Sequence, residues 1–385
     1  MSLDDDARDE LRRLEAAHRL RVPRVVDGRQ GAHVVLDGQR VLNLASNDYL
    51  GLAGDPRLAR AAAEAAASDG VGAGASRLIV GNHRRHVSLE RALASWLEVP
   101  AARLFNSGYA ANVGVLTALL GADDVVFSDE LNHASIIDGC RLSRARVVVF
   151  AHRDVGALER ALSTCPGRRR IVVTETLFSM DGDLADVATL ADLCRHHDAA
   201  LMLDEAHALG VRGPSGRGVA AAAGVVPDLL VGTLGKALGG FGAFVATTPA
   251  IAELLWNRAR SLVFSTALPP LVCAAAERAV EIARGSEGDE RRATLGSLAR
   301  LVRRKLAGTR GALDSAIVPV IVGDDREVMA ITARALDHGV FVQGIRPPTV
   351  PEGTSRLRIA ISARLTPEEL EKAVKVLDDA ARRST

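Results

Sequence analysis

Short apolar segments alternate with helical segments over most of this 385-residue chain, and this alternation predicts an α/β fold. From about residue 55 onwards, apolar residues recur at helical spacing, as in the segment 55–70. The segments between the helices are brief and apolar throughout, which is typical of strands buried on both faces. They are VVVF (147–150), IVVTET (171–176), ALMLDEA (200–206), LLVGT (229–233) and AFVATT (243–248). Such strands predict a large, mostly parallel sheet with helices on both faces.

Three regions are predicted along the chain. Residues 1–45 form an N-terminal arm, in which a helical pattern precedes short apolar runs that Asp-Gly pairs interrupt, as in a hairpin. Residues 46–260 form the large sheet domain. Residues 261–385 form a smaller C-terminal α+β domain, because helical segments precede the apolar runs AIVPVIVG, VFVQGI and RLRIAIS. We expect the arm to pack with this smaller domain.

Charge and composition exclude several classes of function. The chain has 48 Lys and Arg against 47 Asp and Glu, a net charge of +1, so we expect no affinity for nucleic acid or an anionic membrane. The first twenty residues lack the apolar core of a signal peptide, and no apolar run reaches membrane-spanning length. Four cysteines show neither CxxC spacing nor the density of a disulfide scaffold. We therefore expect a reduced, cytoplasmic protein without a metal site.

Polar residues that follow the predicted strands are candidates for the functional site, because open α/β sheets bind ligands beyond the carboxyl ends of their strands. The stretch RLFNSGYAANVGVL passes through Ser107 and Gly108 into a helix, whose first N–H groups can bind an anion. An ordinary turn with a capping serine accounts for the same residues. Glu175 and Ser179 precede a common type of turn, and His133 lies in a loop, where a lone histidine is more often structural or merely exposed.

Two further residues end or follow apolar strands. Asp204 ends one strand and His207 comes three positions later; a buried carboxylate there needs a cation or strong donors, unless it is only a helix cap. Lys236 lies in VGTLGKALGGFGAF, beside Thr233, with five glycines and no other charge. Such surroundings disfavour the ammonium form of Lys236 and favour the neutral amine that Schiff-base chemistry requires.

One ligand would satisfy all of these residues together. It needs a phosphate for the helix N-terminus and Thr233, an aldehyde for Lys236, and a protonatable ring nitrogen for Asp204. Pyridoxal phosphate has all three groups, and Asp204 would keep its pyridine protonated so that the ring withdraws electrons from the substrate carbon. The sequence therefore predicts pyridoxal phosphate as the cofactor, with Lys236 as the lysine that binds it.

Over nearly its whole length, the chain resembles the α-oxoamine synthase family of fold type I pyridoxal-phosphate enzymes. The stretches that carry the resemblance include NLASNDYLGL, NSGYAANVGVL, LNHASIIDG, LDEAHALGVRGPSGRG, GTLGKALGGFGAF and FSTALPP. The stretch IRPPTVPEGT favours the branch of the family that acts in biotin biosynthesis. The chain departs from many relatives at Arg364, where they continue with a histidine after RIAISA.

The resemblance implies roles in cofactor binding for individual residues. Lys236 would hold the cofactor and remove the α-proton, Asp204 would pair with the pyridinium nitrogen, and His133 would stack on the ring and contact the substrate. Ser179 and His207 would hydrogen-bond the phenolic oxygen. The phosphate would be held by Ser107, by Gly108 and Tyr109 through their backbone, by Thr233, and by Ser265 and Thr266 of the neighbouring subunit.

The resemblance also implies substrates and assembly. Asn47 and Arg358 would bind the carboxylate of L-alanine, and Arg21, Arg346 and Thr349 would contact a pimeloyl thioester of coenzyme A or a carrier protein. The expected enzyme is a homodimer with active sites at the interface. Three alternatives stay open: a sibling synthase such as glycine C-acetyltransferase, because pocket shape sets substrate size; an aminotransferase; and a non-catalytic partner subunit, against which the presence of Lys236 argues.

Overall fold

A computed structural model describes residues 2–382 of the chain. Its helices are α1 (Leu3–Ala16), α2 (Pro56–Asp69), α3 (Arg84–Leu97), α4 (Gly108–Leu119), α5 (Ala134–Leu142), α6 (Val155–Thr164), α7 (Val187–His196), α8 (Gly218–Ala222), α9 (Pro249–Arg258), α10 (Arg260–Val263), α11 (Pro270–Arg284), α12 (Ser286–Lys305), α13 (Asp325–Asp337) and α14 (Pro367–Arg382). Its strands are β1 (Val26–Asp27), β2 (His33–Leu36), β3 (Gln39–Asn43), β4 (Ala101–Phe105), β5 (Val125–Asp129), β6 (Arg146–Phe150), β7 (Arg170–Glu175), β8 (Ala200–Asp204), β9 (Leu229–Thr233), β10 (Ala243–Thr247), β11 (Ile317–Gly323), β12 (Val340–Phe341), β13 (Gln343–Ile345) and β14 (Ser355–Ala360).

The larger of two compact units comprises residues 48–179 and 183–293. Its seven-stranded sheet has the order β4-β10-β9-β8-β7-β5-β6. The strands from β9 to β6 run parallel to one another, whereas β10 is antiparallel to both β4 and β9. Each of the five apolar runs between 147 and 248 forms a strand of this sheet. The predicted α/β fold class with a mostly parallel sheet is confirmed.

Helices α4 and α5 pack closely beside this sheet. Helix α4 is buried along most of its length, as its apolar sequence GYAANVGVLTAL requires. Gly139 of α5 permits the close approach, because a Cβ atom there would lie 2.7 Å from Cδ1 of Leu116 and 3.1 Å from the carbonyl oxygen of Asn112. The approach brings the polar side chains of Asn112 and Ser135 together inside an otherwise apolar core.

The smaller unit comprises residues 2–47, 180–182 and 294–382 of the described chain. It contains a sheet of order β1-β2-β3-β12 and an antiparallel sheet of order β11-β14-β13. Because β12 pairs in parallel with β3, the two ends of the chain contribute strands to one sheet. Val342 interrupts the predicted strand 340–345, which the structure divides into β12 and β13.

Residues 261–293 belong to the larger unit, whereas the sequence pattern predicts that the smaller domain begins at residue 261. The reason is the packing of α11 against α2 and α3. Small side chains along the buried face of α11 allow this packing, and they include Cys273, Ala276, Ala279 and Ala283. The helical pattern of α11 is the same whichever unit it joins, so the pattern could not locate the boundary. Across residues 2–382, no helix combines the length and the apolar character that crossing a membrane requires.

Candidate active site

Polar residues meet at the carboxyl ends of three neighbouring strands in the larger unit. Glu175, the last residue of β7, lies in register with Asp204, the last residue of β8, and Asp204 lies opposite Val231 of β9. Lys236 follows the end of β9. Because parallel strands present their carboxyl ends at one edge of a sheet, residues far apart in sequence share this edge.

A glycine-rich turn holds Lys236. Gly239 has a φ of +63°, and a Cβ atom there would collide with the backbone of Ala53, so only glycine fits this position. The side-chain Nζ of Lys236 lies 2.8 Å from Nε2 of His207. The other ring nitrogen of His207, Nδ1, lies 2.8 Å from the hydroxyl oxygen of buried Tyr49. The amine is therefore oriented by the buried imidazole of His207, whose other ring nitrogen is held by Tyr49.

Asp204 is 5% exposed, and both of its carboxylate oxygens accept hydrogen bonds. Its Oδ1 accepts the backbone N–H of Ala206 at 2.9 Å, as a capping residue does. Its Oδ2 accepts the side-chain amide of Asn112, on α4, at 2.8 Å. The cap therefore accounts for only one of the two oxygens, and the other is held by a residue 92 positions away.

Glu175 is a second buried carboxyl group at the same edge. Its pKa is raised well above the ordinary value, first by burial and second by the negative charge of Asp204, against the lowering effect of Lys236. Its Oε2 accepts the backbone N–H of Ser179 at 3.2 Å, while Oε1 has no partner within residues 2–382. These surroundings favour protonated Glu175.

His133 caps the N-terminus of α5. Its Nδ1 accepts the backbone N–H of Ser135 at 3.2 Å and lies 2.8 Å from the hydroxyl oxygen of the same serine. Desolvation by the surrounding protein lowers the pKa of His133, as does the charge of Lys236, although Asp204 opposes this shift. Part of the residue nevertheless remains accessible to solvent. A neutral, partly accessible imidazole is suited to stacking on a flat ring.

The start of α4 has the features of an anion site. Ser107 caps the helix by accepting the backbone N–H of Ala110 at 3.1 Å. A Cβ atom built on Gly108 would meet nothing within 4 Å, so the chain is open to an approaching group at that residue. Tyr109 is 48% exposed and donates its hydroxyl proton to Asp138. The first N–H groups of a helix lack partners within the helix and can bind a phosphate.

Three other predicted phosphate ligands, Thr233, Ser265 and Thr266, lie in the larger unit. The hydroxyl of Thr233 donates to the carbonyl of Gly242 at 3.1 Å. The side-chain amide of Asn106 donates to Ser265 Oγ at 2.6 Å and to the Thr266 carbonyl at 2.8 Å. Ser265 and Thr266 therefore lie beside Asn106 of the same chain, which precedes the α4 cap Ser107.

The smaller unit contains the predicted acyl-substrate residues. Nη2 of Arg21 donates to Thr349 Oγ1 at 3.2 Å, and Nη2 of Arg346 donates to the carbonyl of Leu20 at 3.2 Å. Burial lowers the pKa of Arg346, and the positive charge of Arg21 lowers it further. Arg21, Arg346 and Thr349 line a cavity of about 830 Å³. Two guanidinium groups that repel each other favour an anion between them.

The predicted ligands of the amino acid carboxylate also belong to the smaller unit. Arg358 lies on β14, 6% exposed, between Pro319 of β11 and Gln343 of β13 in register. Asn47 is the last residue of the first segment of this unit. The structure thus divides the predicted site residues between the two units: Asn47, Arg21, Arg346, Thr349 and Arg358 in the smaller, and the remainder in the larger.

A family model described as aminotransferase class I and II matches residues 39–377. The chain belongs to this family. Within it, an 8-amino-7-oxononanoate synthase from Geobacter sulfurreducens is 51% identical over 375 residues, which cover 96% of each chain. The enzyme of the same name from Anaeromyxobacter dehalogenans is 50% identical, covering 92% of this chain and 90% of that protein. The resemblance to the α-oxoamine synthases of biotin biosynthesis is confirmed.

Solved structures with the same fold include two serine palmitoyltransferases. The enzyme from Sphingomonas wittichii has a TM-score of 0.93 and 30% identity, covering 100% of this chain and 99% of that one. The S. paucimobilis enzyme, with a bound PLP-myriocin aldimine, has a TM-score of 0.92 and 32% identity over 98% and 97% of the chains. An 8-amino-7-oxononanoate synthase from Francisella tularensis has a TM-score of 0.76 and 27% identity, covering 89% and 98%.

The residues of this aminotransferase-family chain fit the cofactor that was predicted for it. Lys236 supplies an amine for the aldehyde, and Asp204 supplies a buried carboxylate for the ring nitrogen. The open backbone at Gly108 leaves room for a phosphate. These residues are thus complementary to the aldehyde, the ring nitrogen and the phosphate of pyridoxal phosphate.

Sequence reasoning missed several side chains at this edge. Tyr49, Asn112 and Ser135 each contact a predicted residue, yet none was singled out. Asn112 and Ser135 lie inside helices, where a single polar residue carries no signal of its own. For Asn112, the only available signal was an amide within the otherwise apolar sequence of α4.

Proposed function

We propose that this chain condenses L-alanine with a pimeloyl thioester, with loss of CO2 and release of coenzyme A or a carrier protein, to form 8-amino-7-oxononanoate for biotin biosynthesis. The observation that carries the proposal is the pair formed by Lys236 and His207 at the same sheet edge as Asp204, in a chain 51% identical to a curated synthase of that name. The reaction forms a carbon–carbon bond between Cα of alanine and the acyl carbon. It breaks the C–S bond of the thioester, which leaves as the thiol, and the bond from Cα to the carboxylate carbon, which leaves as CO2 and is replaced by a proton.

Pyridoxal phosphate supplies an electron-withdrawing ring that stabilises negative charge on the amino acid carbon. In the proposed arrangement, Lys236 binds the cofactor and moves the α-proton, and His207 orients the amine. Asp204 holds a proton on the ring nitrogen, and His133 covers the ring face. The remaining cofactor contacts are assigned to Ser107, Gly108, Tyr109, Ser179 and Thr233, and to Ser265 and Thr266 of a second subunit.

The cavity of the smaller unit supports an acyl substrate with a terminal carboxylate. Its lining includes Leu36, Ile345 and other apolar side chains, which can contact methylene groups, and the guanidinium groups of Arg21 and Arg346 can bind a carboxylate. Each buried methylene contributes about 0.8 kcal/mol, so an acyl chain of this length gains substantially from an apolar wall. Asn47 and buried Arg358 are assigned to the carboxylate of alanine.

A homodimer is part of the proposal. Ile79 and Val80, which are 72% and 80% exposed, form an apolar surface in the larger unit, and Phe264 is 72% exposed immediately before Ser265. Exposed apolar side chains in consecutive positions are typical of an interaction surface. Sedimentation should give a dimer, with Ile79→Asp shifting it towards monomer; a fully active wild-type monomer would contradict this part of the proposal.

The test of substrate choice compares acyl groups of equal length. Pimeloyl-CoA should exceed heptanoyl-CoA, which lacks the terminal carboxylate, in kcat/KM with alanine, measured by thiol release and by the mass of the ketone product. Arg21→Ala should reduce the efficiency with pimeloyl-CoA by about ten- to hundredfold, the effect of losing a hydrogen bond to a charged group, and should leave heptanoyl-CoA almost unaffected. Arg24→Ala is the matched control, since Arg24 lines the same cavity but is paired with Asp37.

Two results would redirect the proposal. Higher efficiency with glycine and acetyl-CoA than with alanine and pimeloyl-CoA would indicate a sibling synthase such as glycine C-acetyltransferase. Pyruvate formation from alanine without an acyl thioester would indicate an aminotransferase. Since one methyl group is worth about 1–3 kcal/mol in an apolar pocket, we expect real but incomplete preference for alanine over glycine with the same acyl donor.

A further inference from the structure

A chain of hydrogen bonds joins Asp204 to His133 through two buried residues without an assigned role. The side-chain amide of Asn112 donates to Asp204 Oδ2 at 2.8 Å and to Ser135 Oγ at 2.9 Å. The hydroxyl oxygen of Ser135 lies 2.8 Å from His133 Nδ1. Asn112 and Ser135 are each 1% exposed, so water does not replace the two bonds of the Asn112 amide.

The direction of every hydrogen bond in this chain follows from the atoms available. A carboxylate oxygen only accepts, so the Nδ2 group of Asn112 faces Asp204, and its two hydrogens serve Asp204 and Ser135. Ser135 Oγ accepts one of these hydrogens and directs its own proton to His133 Nδ1. The backbone N–H of Ser135 also donates to Nδ1, at 3.2 Å. With two donors aimed at it, Nδ1 carries no proton, and a neutral ring carries its proton on Nε2.

Two observations indicate that this arrangement is more than packing. Oδ1 of Asn112 is buried without a partner within residues 2–382, which is unfavourable and would be avoided by an apolar side chain of similar size. Gly139 removes the Cβ atom that would otherwise lie 3.1 Å from the carbonyl of Asn112, so α5 can approach α4 closely enough for the bond between Asn112 and Ser135.

We propose that Asn112 and Ser135 are positioning residues, which hold the carboxylate of Asp204 and keep His133 in its neutral Nε2–H form. The charged or titratable groups that act on His133 are Asp204 and Lys236. The assignment of Asp204 and His133 to a cofactor rests on the proposed function, whereas the hydrogen-bond directions do not.

The first test measures the protonation of His133 directly. Protein labelled with ¹⁵N-histidine should show, at pH 7, a His133 ring with its proton on Nε2 and none on Nδ1, both with the cofactor bound and after its removal; comparison with His133→Asn assigns the signals. Ser135→Ala removes one of the two donors to Nδ1 and keeps the backbone one, so it should raise the fraction of the Nδ1–H form without making that form complete, and Ser135→Thr should restore the wild-type signals. Ser143→Ala is the matched control, because Ser143 is a buried serine at the other end of α5 that bonds the Cys140 carbonyl.

The second test separates positioning from folding. Asn112→Ala should lower kcat by about ten- to hundredfold, the fold-change that corresponds to losing a hydrogen bond to a charged group, with less than about threefold change in the KM for alanine. It should also change the absorbance spectrum of the bound cofactor and its pH dependence. A His133 ring that is protonated on Nδ1 in the wild type, or Ser135→Ala signals identical to wild type, would overturn the proposal even if the enzyme is active. Failure of the proposed reaction would leave the NMR result unaffected.

Discussion

Two histidines that follow neighbouring strands of the large sheet have pKa values shifted in opposite directions. His133, after β5, accepts the backbone N–H of Ser135 at Nδ1. Desolvation lowers its pKa, and the charge of Lys236 lowers it further. His152, after β6, lies between two carboxylates: Nδ1 is 3.0 Å from Asp129 and Nε2 is 3.0 Å from Asp183. Burial disfavours a charge on His152 as well, but bonds to both aspartates outweigh burial and raise its pKa to about 9.

The difference shows how one sheet edge supports both chemistry and stability. The His152 cluster, defined as His152, Asp129 and Asp183, uses both ring nitrogens in ion pairs and leaves the imidazole nothing to offer a ligand. His133 uses Nδ1 to cap α5, whereas Nε2 takes no part in the cap. We therefore expect substitutions around His133 to change rate, and substitutions in the His152 cluster to change stability.

Removal of Lys236 should have the largest effect on rate. Lys236→Ala deletes the amine proposed to bind the cofactor and to move the α-proton, so turnover should fall by several orders of magnitude. The midpoint of thermal unfolding should barely change, because the side chain is only partly buried. Thiol release and calorimetry measure the two effects, with Lys305→Ala as a control at a surface ion pair. Wild-type protein that stays colourless with pyridoxal phosphate, and that borohydride does not label at Lys236, would contradict the assignment.

Replacement of Asp204 should give the next largest loss. Asp204→Asn keeps the shape but removes the negative charge that would hold the ring nitrogen protonated, so kcat should fall far more than cofactor affinity. Asp186→Asn is the matched control, because Asp186 is also a carboxylate cap, accepting the backbone N–H of Thr189. Equal behaviour of the two variants would mean that Asp204 is only a cap.

Substitutions in the His152 cluster should lower stability and leave turnover nearly unchanged. His152→Ala leaves buried Asp129, which is 2% exposed, without its cationic partner, and should reduce the free energy of unfolding by about 3 kcal/mol. Turnover of the folded protein should stay within about threefold of wild type. Denaturant unfolding and steady-state kinetics test both statements, and a large loss of kcat with unchanged stability would reverse the distinction drawn between the two histidines.

The smallest expected effect is the change with pH in the difference in unfolding free energy between wild type and a His152 variant. The pKa of His152 rises from 6.5 when unfolded to about 9 when folded, so its stabilising contribution is complete below pH 6.5 and is lost as the pH rises through about 9. Raised pKa values elsewhere, such as that of Glu175, affect wild type and variant alike. The gap in unfolding free energy between wild type and His152→Gln should therefore narrow between pH 6.5 and 9. A constant gap would show that folding does not raise the pKa of His152.

Several features of the site were predictable because they depend on local patterns. Asp204 and Lys236 follow short apolar runs, and the ends of parallel strands meet at one edge of a sheet whatever the details of packing. The helix start at Ser107 and Gly108 was predictable for the same reason, since a cap residue acts on its own turn. The boundary at residue 260 and the single strand over 340–345 were less accurate, because helix and strand patterns do not show where a unit ends or a strand breaks.

By itself, the sequence determined which segments form strands and helices and which polar residues stand at strand ends, since side-chain periodicity and capping act over a few residues. Tertiary structure alone decided that Asn112 would meet Asp204, that Tyr49 would hold His207, and that His133 and His152 would differ in charge. The charge of a histidine depends on donors and carboxylates brought within about 3 Å by folding. For His152, those groups are 23 and 31 positions away in sequence, so no local pattern records them.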